Sequence, residues 1–239
     1  MLQRGAIPSP RHKLAAATPH VIKGPTPAQM LRHPSVLSFW LNDTEGDCVT
    51  AEEAFAKACW VPEIFITPFQ VQKWANAHGV LNGAMISDVL DWMQTSGFGD
   101  PTGSGFTFCD GPHSSVDWTN EAILRNAIHI GPVKIGVAAD QLQTVVEAHP
   151  SSGWVATGFS EDQAEDHCVS LCGFGTMGWL TGQLGTSLPT GVDPSSPGYG
   201  LFTWSSIGAI DAQSMLAITS EAWLRNPTTI VKPRYRADV

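Results

Sequence analysis

Cys48 is the residue of this chain whose type and context suit nucleophilic chemistry. Cys48 follows a Gly46-Asp47 turn and opens a helical run, so its thiol meets the unpaired N–H groups and the positive end of the helix dipole, which favour the thiolate. A small buried hydrophobe is the other reading, since free cysteine is among the most buried residue types. His167 follows Asp166 and opens an alternating run, Val169, Leu171 and Gly173 against Cys168, Ser170 and Cys172. A lone histidine after an aspartate is more often a surface residue, and the alternating run is what sets this one apart. Asn42, six residues before Cys48, has the side chain to close an Asx turn. A thiol attacking an amide needs a base, a group that fixes the base, and oxyanion donors.

Other classes of chemistry find less support. The five cysteines, Cys48, Cys59, Cys109, Cys168 and Cys172, form no CxxC pair and no zinc spacing, so no metal site and no cofactor are expected. An odd, sparse set suits free thiols in a reducing compartment. A net charge of −9 argues against a nucleic-acid or anionic-membrane binder. No apolar run has membrane-span length and no secretory signal is visible, so the expected location is cytoplasmic.

The elements that must position these residues are readable in order. Residues 1–38 hold six prolines, which allow extended segments but no long helix. This proline-rich arm could be free, wrapped over the body, or an attachment segment. Residues 39–239 form the remaining domain, a helical lobe over about 39–115 and a β-rich lobe over about 116–210. Helices are predicted from Cys48 to Trp60 with one closely packed face, over 68–78 with Gly79 as stop, and over 84–95 after the Asn82-Gly83 turn. Residues 97–115 read as loop, and Thr119 or Asn120 caps a further helix. Strands are predicted over Val133–Ala138, Gly153–Phe159, His167–Phe174 and Tyr199–Trp204, with a short helix over 140–148. Residues 175–198 read as an excursion or lid, and 211–225 as a C-terminal helix capped by Asp211. Helices first and strands later give an α+β fold with two lobes.

With that order in place, the chain resembles the papain-like cysteine peptidases over roughly residues 38–208. Asn42 to Cys48 is similar to the family's Gln-Gly-Ser-Cys-Gly-Ser-Cys segment, and Asn82-Gly83-Ala84-Met85-Ile86 to its Asn-Gly-Gly block. Asn120 through Ile135 resembles the helix leading into a Gly-Pro-Val strand. Asp166 to Gly175 resembles the Asp-His-Ala-Val-x-x-Val-Gly-Tyr-Gly strand, and Ser205-Ser206-Ile207-Gly208 falls where the family has Asn-Ser-Trp-Gly. The resemblance implies a papain-like two-lobe fold, a helical N-terminal lobe around the Cys48 helix and an antiparallel β-rich C-terminal lobe.

It also implies roles: Cys48 as nucleophile, His167 as base, Asn42 as oxyanion donor with the Cys48 N–H, and Ser205 where an asparagine orients the histidine. Gly83, Ala84, Met85, Ile86, Asp166 and Cys168 would line the substrate groove, or simply pack in the core. Several departures from the pattern stand out. Ser205 is a short hydroxyl, Ile207 replaces a shielding tryptophan, and Asp47 puts a carboxylate beside the thiol. Glu45 and Leu81 stand where the family pairs two cysteines, no helical pro-segment is expected upstream, and past Gly208 the chain is expected to turn into a helix.

Two functions follow as expectations. One is a cysteine-dependent hydrolase of peptide or related amide bonds; the other is a weak or inactive papain-fold protein that binds or assembles. The expected partner is a peptide or protein, with no nucleic acid and no membrane, and nothing in the sequence specifies an oligomeric state.

Overall fold

The computed structural model describes residues 2–100, 105–226 and 229–231. The arm is wrapped over the body. Strand β1 (Ala6–Ile7) is followed by helix α1 (Arg11–Ala16) and strand β2 (Met30–Leu31). The prolines around α1 hold it to six residues.

Helix α2 (Cys48–Ala58) is the axis of the helical lobe, and every one of its residues is buried. The sequence pattern of one packed face understates this, because Glu52, Glu53 and Lys57 are interior as well. Phe55 stacks on Phe202 of the β lobe with centroids 3.9 Å apart, which ties the two halves together. Helix α3 (Pro68–His78) starts with a Thr67–Gln70 capping box and stops at Gly79, whose φ of 70° is the left-handed cap. Strand β3 (Ala84–Met85) and helix α4 (Ile86–Met93) follow, and β1 pairs with β3 in parallel, Ala6 opposite Ala84. The predicted 97–115 loop contains three short strands, β4 (Phe98–Gly99), β5 (Thr107–Cys109) and β6 (His113–Ser115).

The β lobe starts with α5 (Glu121–Ile130), capped by Asn120, whose side chain accepts from the Ala122 and Ile123 N–H groups. Then come β7 (Val133–Val137), α6 (Asp140–Ala148), β8 (Val155–Ala156), β9 (His167–Thr176), α7 (Met177–Gln183), β10 (Pro197–Thr203), β11 (Ser206–Asp211), α8 (Ala212–Ile218) and β12 (Thr219–Arg225). The sheet runs β6-β12-β7-β9-β10-β11-β8; its neighbours are antiparallel except β11 and β8, and β2 pairs with β9 off this path. Strand β13 (Thr229–Val231) pairs with β5.

Three expectations need correction. The segment 175–198 is irregular only over 184–196: β9 runs on to Thr176, and α7 buries Met177 and Leu180 in the core. The C-terminal helix ends at Ile218, so Ala222 and Trp223 lie in β12. That strand sits between β6 and β7, and its burial on both faces leaves an apolar run without period-two alternation. Finally, the chain does continue past Gly208 as a strand, β11, and only then turns into helix. The β-rich sheet therefore extends beyond 116–210 at both ends.

Candidate active site

Cys48 is the first residue of α2 and is 1% exposed. Its thiol lies against the backbone N–H groups of Cys168, the residue after His167, and of Gly5 in the arm. Those donors favour the thiolate, but burial dominates, with Asp47 and Glu52 adding to it, and the thiol is pushed up to about 12. Asp47 occupies the N-cap position without capping through its side chain. Both of its carboxylate oxygens are buried without a hydrogen-bond partner, and burial pushes the group up to about 8. At neutral pH Asp47 is therefore mostly protonated, and the charge that the sequence sets beside Cys48 is largely absent.

His167 opens β9 and is completely buried. Its Nε2 and the Thr203 hydroxyl are 2.8 Å apart, and the Trp204 indole stacks on the ring, with centroids 4.0 Å apart and planes within 9°. Nδ1 has no partner. Burial, helped by the nearby Arg4 guanidinium, pushes the imidazole down to about 3, so it is neutral in this state.

Ser205 does not hold the histidine. Trp204 and Ser205 form the two-residue turn between β10 and β11, with φ of 40° and 66°, the backbone of a primed hairpin turn. That turn aligns Thr203 with the ring and lays Trp204 over it, two positions before the block that resembles Asn-Ser-Trp-Gly. Ile207, which stands where the family has its shielding tryptophan, is in the core. A hydroxyl within the apolar run Leu201–Trp204 was the available signal for Thr203.

Asn42 faces the groove, where its Nδ2 donates to the carbonyls of Gln3 (3.3 Å) and Glu45 (3.2 Å). The Gln3 carbonyl also accepts from Trp204 Nε1 at 2.8 Å. A peptide carbonyl of the arm is thus held by two side-chain donors within the site. The next residues run along the groove on backbone bonds. Gln3 N–H donates to the Asn42 carbonyl, Gly5 and Ala6 N–H both donate to the Asp166 carbonyl at 3.1 and 3.0 Å, and Ala84 N–H donates to the Gly5 carbonyl at 2.9 Å. Contact is close enough that a Cβ on Gly5 would lie 1.8 Å from the Gly46 carbonyl oxygen. Cys48 and His167 are covered by the chain's own arm.

The other predicted groove residues divide. Gly83 and Ala84 touch the arm, Met85 is half-buried beside it, and Asp166 holds it through its carbonyl. Ile86 and Cys168 are core residues, with only the Cys168 backbone facing the thiol. All five cysteines are free. No helix among the described residues is long and apolar enough to cross a membrane.

No family model and no curated protein sequence matches the chain. Solved structures do. Xylellain, a cysteine protease from Xylella fastidiosa, is similar over 95% of this chain and 96% of its own, at 12% identity and a TM-score of 0.63. The Amb a 11 cysteine protease of ragweed pollen, in its proform, is similar over 91% of this chain and 72% of its own, at 10% identity and 0.62. Bromelain from Ananas comosus in complex with the E64 inhibitor covers 84% and 99%, at 12% identity and 0.58. The chain has the papain-like cysteine-protease fold, α+β as the sequence order implies.

Proposed function

We propose that this chain is a cysteine-dependent hydrolase of peptide or related amide bonds whose groove is filled at rest by residues 3–7. The observation that carries this reading is the treatment of His167. Thr203 holds Nε2, Trp204 covers the ring, and Nδ1 is left without a partner, the Cys48 thiol included, on the residue before Cys168, whose own N–H lies against that thiol. If Nε2 carries the proton, Nδ1 is the nitrogen that accepts the thiol's. The thiolate then attacks the carbonyl carbon, and the oxyanion takes hydrogen bonds from Asn42 Nδ2 and the Cys48 N–H. Collapse of the tetrahedral intermediate expels the amine, which leaves with the proton from His167, and water hydrolyses the thioester. In the arm-seated state both partners are neutral, because burial raises the thiol and lowers the imidazole. Readmitting water opposes both shifts.

The same shifts favour a second reading, in which the arm stays seated and the fold serves binding or assembly without turnover. One variant separates the two. Gly5→Leu cannot seat against the Gly46 carbonyl. In the hydrolase reading iodoacetamide labels Cys48 slowly in the wild type and at least tenfold faster in Gly5→Leu, ahead of the other four thiols, with peptide hydrolysis appearing alongside and disappearing in Gly5→Leu/His167→Ala. Equal, slow labelling of all five cysteines in folded Gly5→Leu would sink the hydrolase reading.

A further inference from the structure

We propose that the groove contains a subsite for an arginine side chain, formed by Asp140, Asp166 and Gln143, and that it binds polypeptide segments carrying an Arg-Gly pair. In this structure Arg4 and Gly5 of the arm occupy it. The inference rests on the groove being a peptide site, as in the preceding section, but not on turnover.

The seated arm is held mostly by backbone bonds, which are indifferent to sequence. Two of its residues are not. Arg4 Nη1 lies 2.5 Å from both Asp140 Oδ1 and Asp166 Oδ2, and Arg4 Nε donates to Gln143 Oε1 at 2.7 Å. The three acceptors come from two places: the first turn of α6, and the residue before His167. Asp166 is fixed independently of its ligand, since its other oxygen accepts from the Ala139 N–H at 3.0 Å. A guanidinium can reach both carboxylates through Nη1 and the Gln143 amide through Nε at once, whereas the three N–H groups of an ammonium all radiate from one atom and cannot span that separation. At the next position the Gly46 carbonyl leaves no room for a side chain. The groove therefore reads a charge and then an absence of Cβ.

Asp140 and Asp166 are partly exposed, at 78% and 39% of their side-chain surface. Exposed pairs contribute little one at a time, so the expected discrimination is about five- to tenfold rather than thousands, and it weakens as salt rises.

The test uses the full chain carrying Gly5→Leu and Cys48→Ala, so that the arm is displaced and no peptide is cleaved. A labelled synthetic peptide, acetyl-Leu-Gln-Arg-Gly-Ala-Ile-Pro-amide, is titrated by fluorescence anisotropy. Replacing its arginine with norleucine is expected to weaken binding five- to tenfold, with lysine in between. Asp140→Asn or Gln143→Leu in the protein should weaken the arginine peptide and leave the norleucine peptide unaffected. Equal binding of both peptides, or no binding of either, overturns the proposal. So does an Asp140→Asn loss that is the same for both. Because the readout is binding in a Cys48→Ala background, it can succeed where hydrolysis fails, or fail where hydrolysis succeeds. A second measurement needs no displaced arm. In the otherwise wild-type chain, Arg4→Gln should speed iodoacetamide labelling of Cys48 about fivefold, Arg4→Lys should restore part of the protection, and Asp140→Asn should add little to Arg4→Gln. An unchanged rate in Arg4→Gln overturns the proposal as well.

Discussion

Helix α2 carries two sets of buried ionisable groups, and the fold treats them in opposite ways. Glu53, in the middle of the helix, is ringed by cations: Lys134 Nζ, Arg225 Nη1 at 3.0 Å and Lys57 Nζ at 3.9 Å, with Lys57 also paired to Asp110 at 2.9 Å. Burial alone would raise its carboxyl, yet Arg225, Lys134 and Lys57 hold it well below the usual carboxylate range. At the N-terminal end the burial is equally deep and no such compensation exists. Asp47 has no hydrogen-bond partner on either oxygen, His167 has none on Nδ1, and the Cys48 thiol is pushed up rather than down. Depth does not distinguish the two regions; pairing does. The charge of Glu53 is matched by cations within the chain, which fixes α2 against β7 and β12, while the Cys48 end has no ion pair of that kind.

The largest effect expected from this contrast lies at the Glu53 network. Glu53→Gln leaves Lys134 and Arg225 buried without their counter-charge, which typically costs about 3–5 kcal/mol. Urea denaturation of the variant should show a loss of that size. A loss below about 1 kcal/mol would mean that Asp110 and Glu52 compensate, and that the network is not what anchors the helix.

When pH increases, a smaller effect per group is expected from the carboxyls that burial raises. Burial holds Asp47 and Glu52 up to about 8, and burial with the neighbouring Glu221 holds Glu165 up to about 9. The unfolded chain releases these protons near pH 4. Between those limits the folded state binds more protons, so stability is fully present below about pH 4 and falls as pH rises toward 8. His167 acts with the opposite sign, but only between about pH 3 and its ordinary value near 6.5. From pH 6.5 to 8 the carboxyls dominate, each contributing up to about 1.4 kcal/mol per pH unit, and the buried thiols add to the decline with the same sign toward pH 8. Scanning calorimetry should show a lower melting temperature at pH 8 than at 6.5, and Asp47→Asn should flatten the decline. A flat profile in the wild type would show that these carboxyls are already ionised in the folded protein.

Local chemistry was legible from sequence where it had a local cause. The cysteine at a helix start, the Gly79 stop, the Asn120 cap and the alternation after His167 each rest on neighbouring residues, and each appears in the structure. What required the assembled fold was not legible. The path of the arm depends on backbone bonds from Asn42, Ala84 and Asp166, which no side-chain pattern announces. β12 was hidden because burial on both faces removes the two-residue period. Most telling is the histidine's partner: chain order points to Ser205, whereas the tight Trp204-Ser205 turn brings Thr203 to the ring.

That last point yields the smallest and most specific prediction, which bears on the Cys48 end of α2. Thr203→Val is nearly isosteric and removes only the hydroxyl, leaving Nε2 buried without its partner, at a cost of about 1–3 kcal/mol in stability. It also removes the contact that selects the ring's tautomer and orientation. In the Gly5→Leu background, Cys48 labelling at neutral pH should fall about tenfold in Thr203→Val, stay near its starting rate in Thr203→Ser, and be unchanged in Ser205→Ala. Stability alone cannot mimic this pattern, because labelling of the partly exposed Cys59 in the same samples reports any general loosening. If Ser205→Ala slows Cys48 and Thr203→Val does not, the hydroxyl that matters is the one chain order suggested. The asymmetry between the two regions of α2 would then rest on the Cys48 thiol and Asp47 alone.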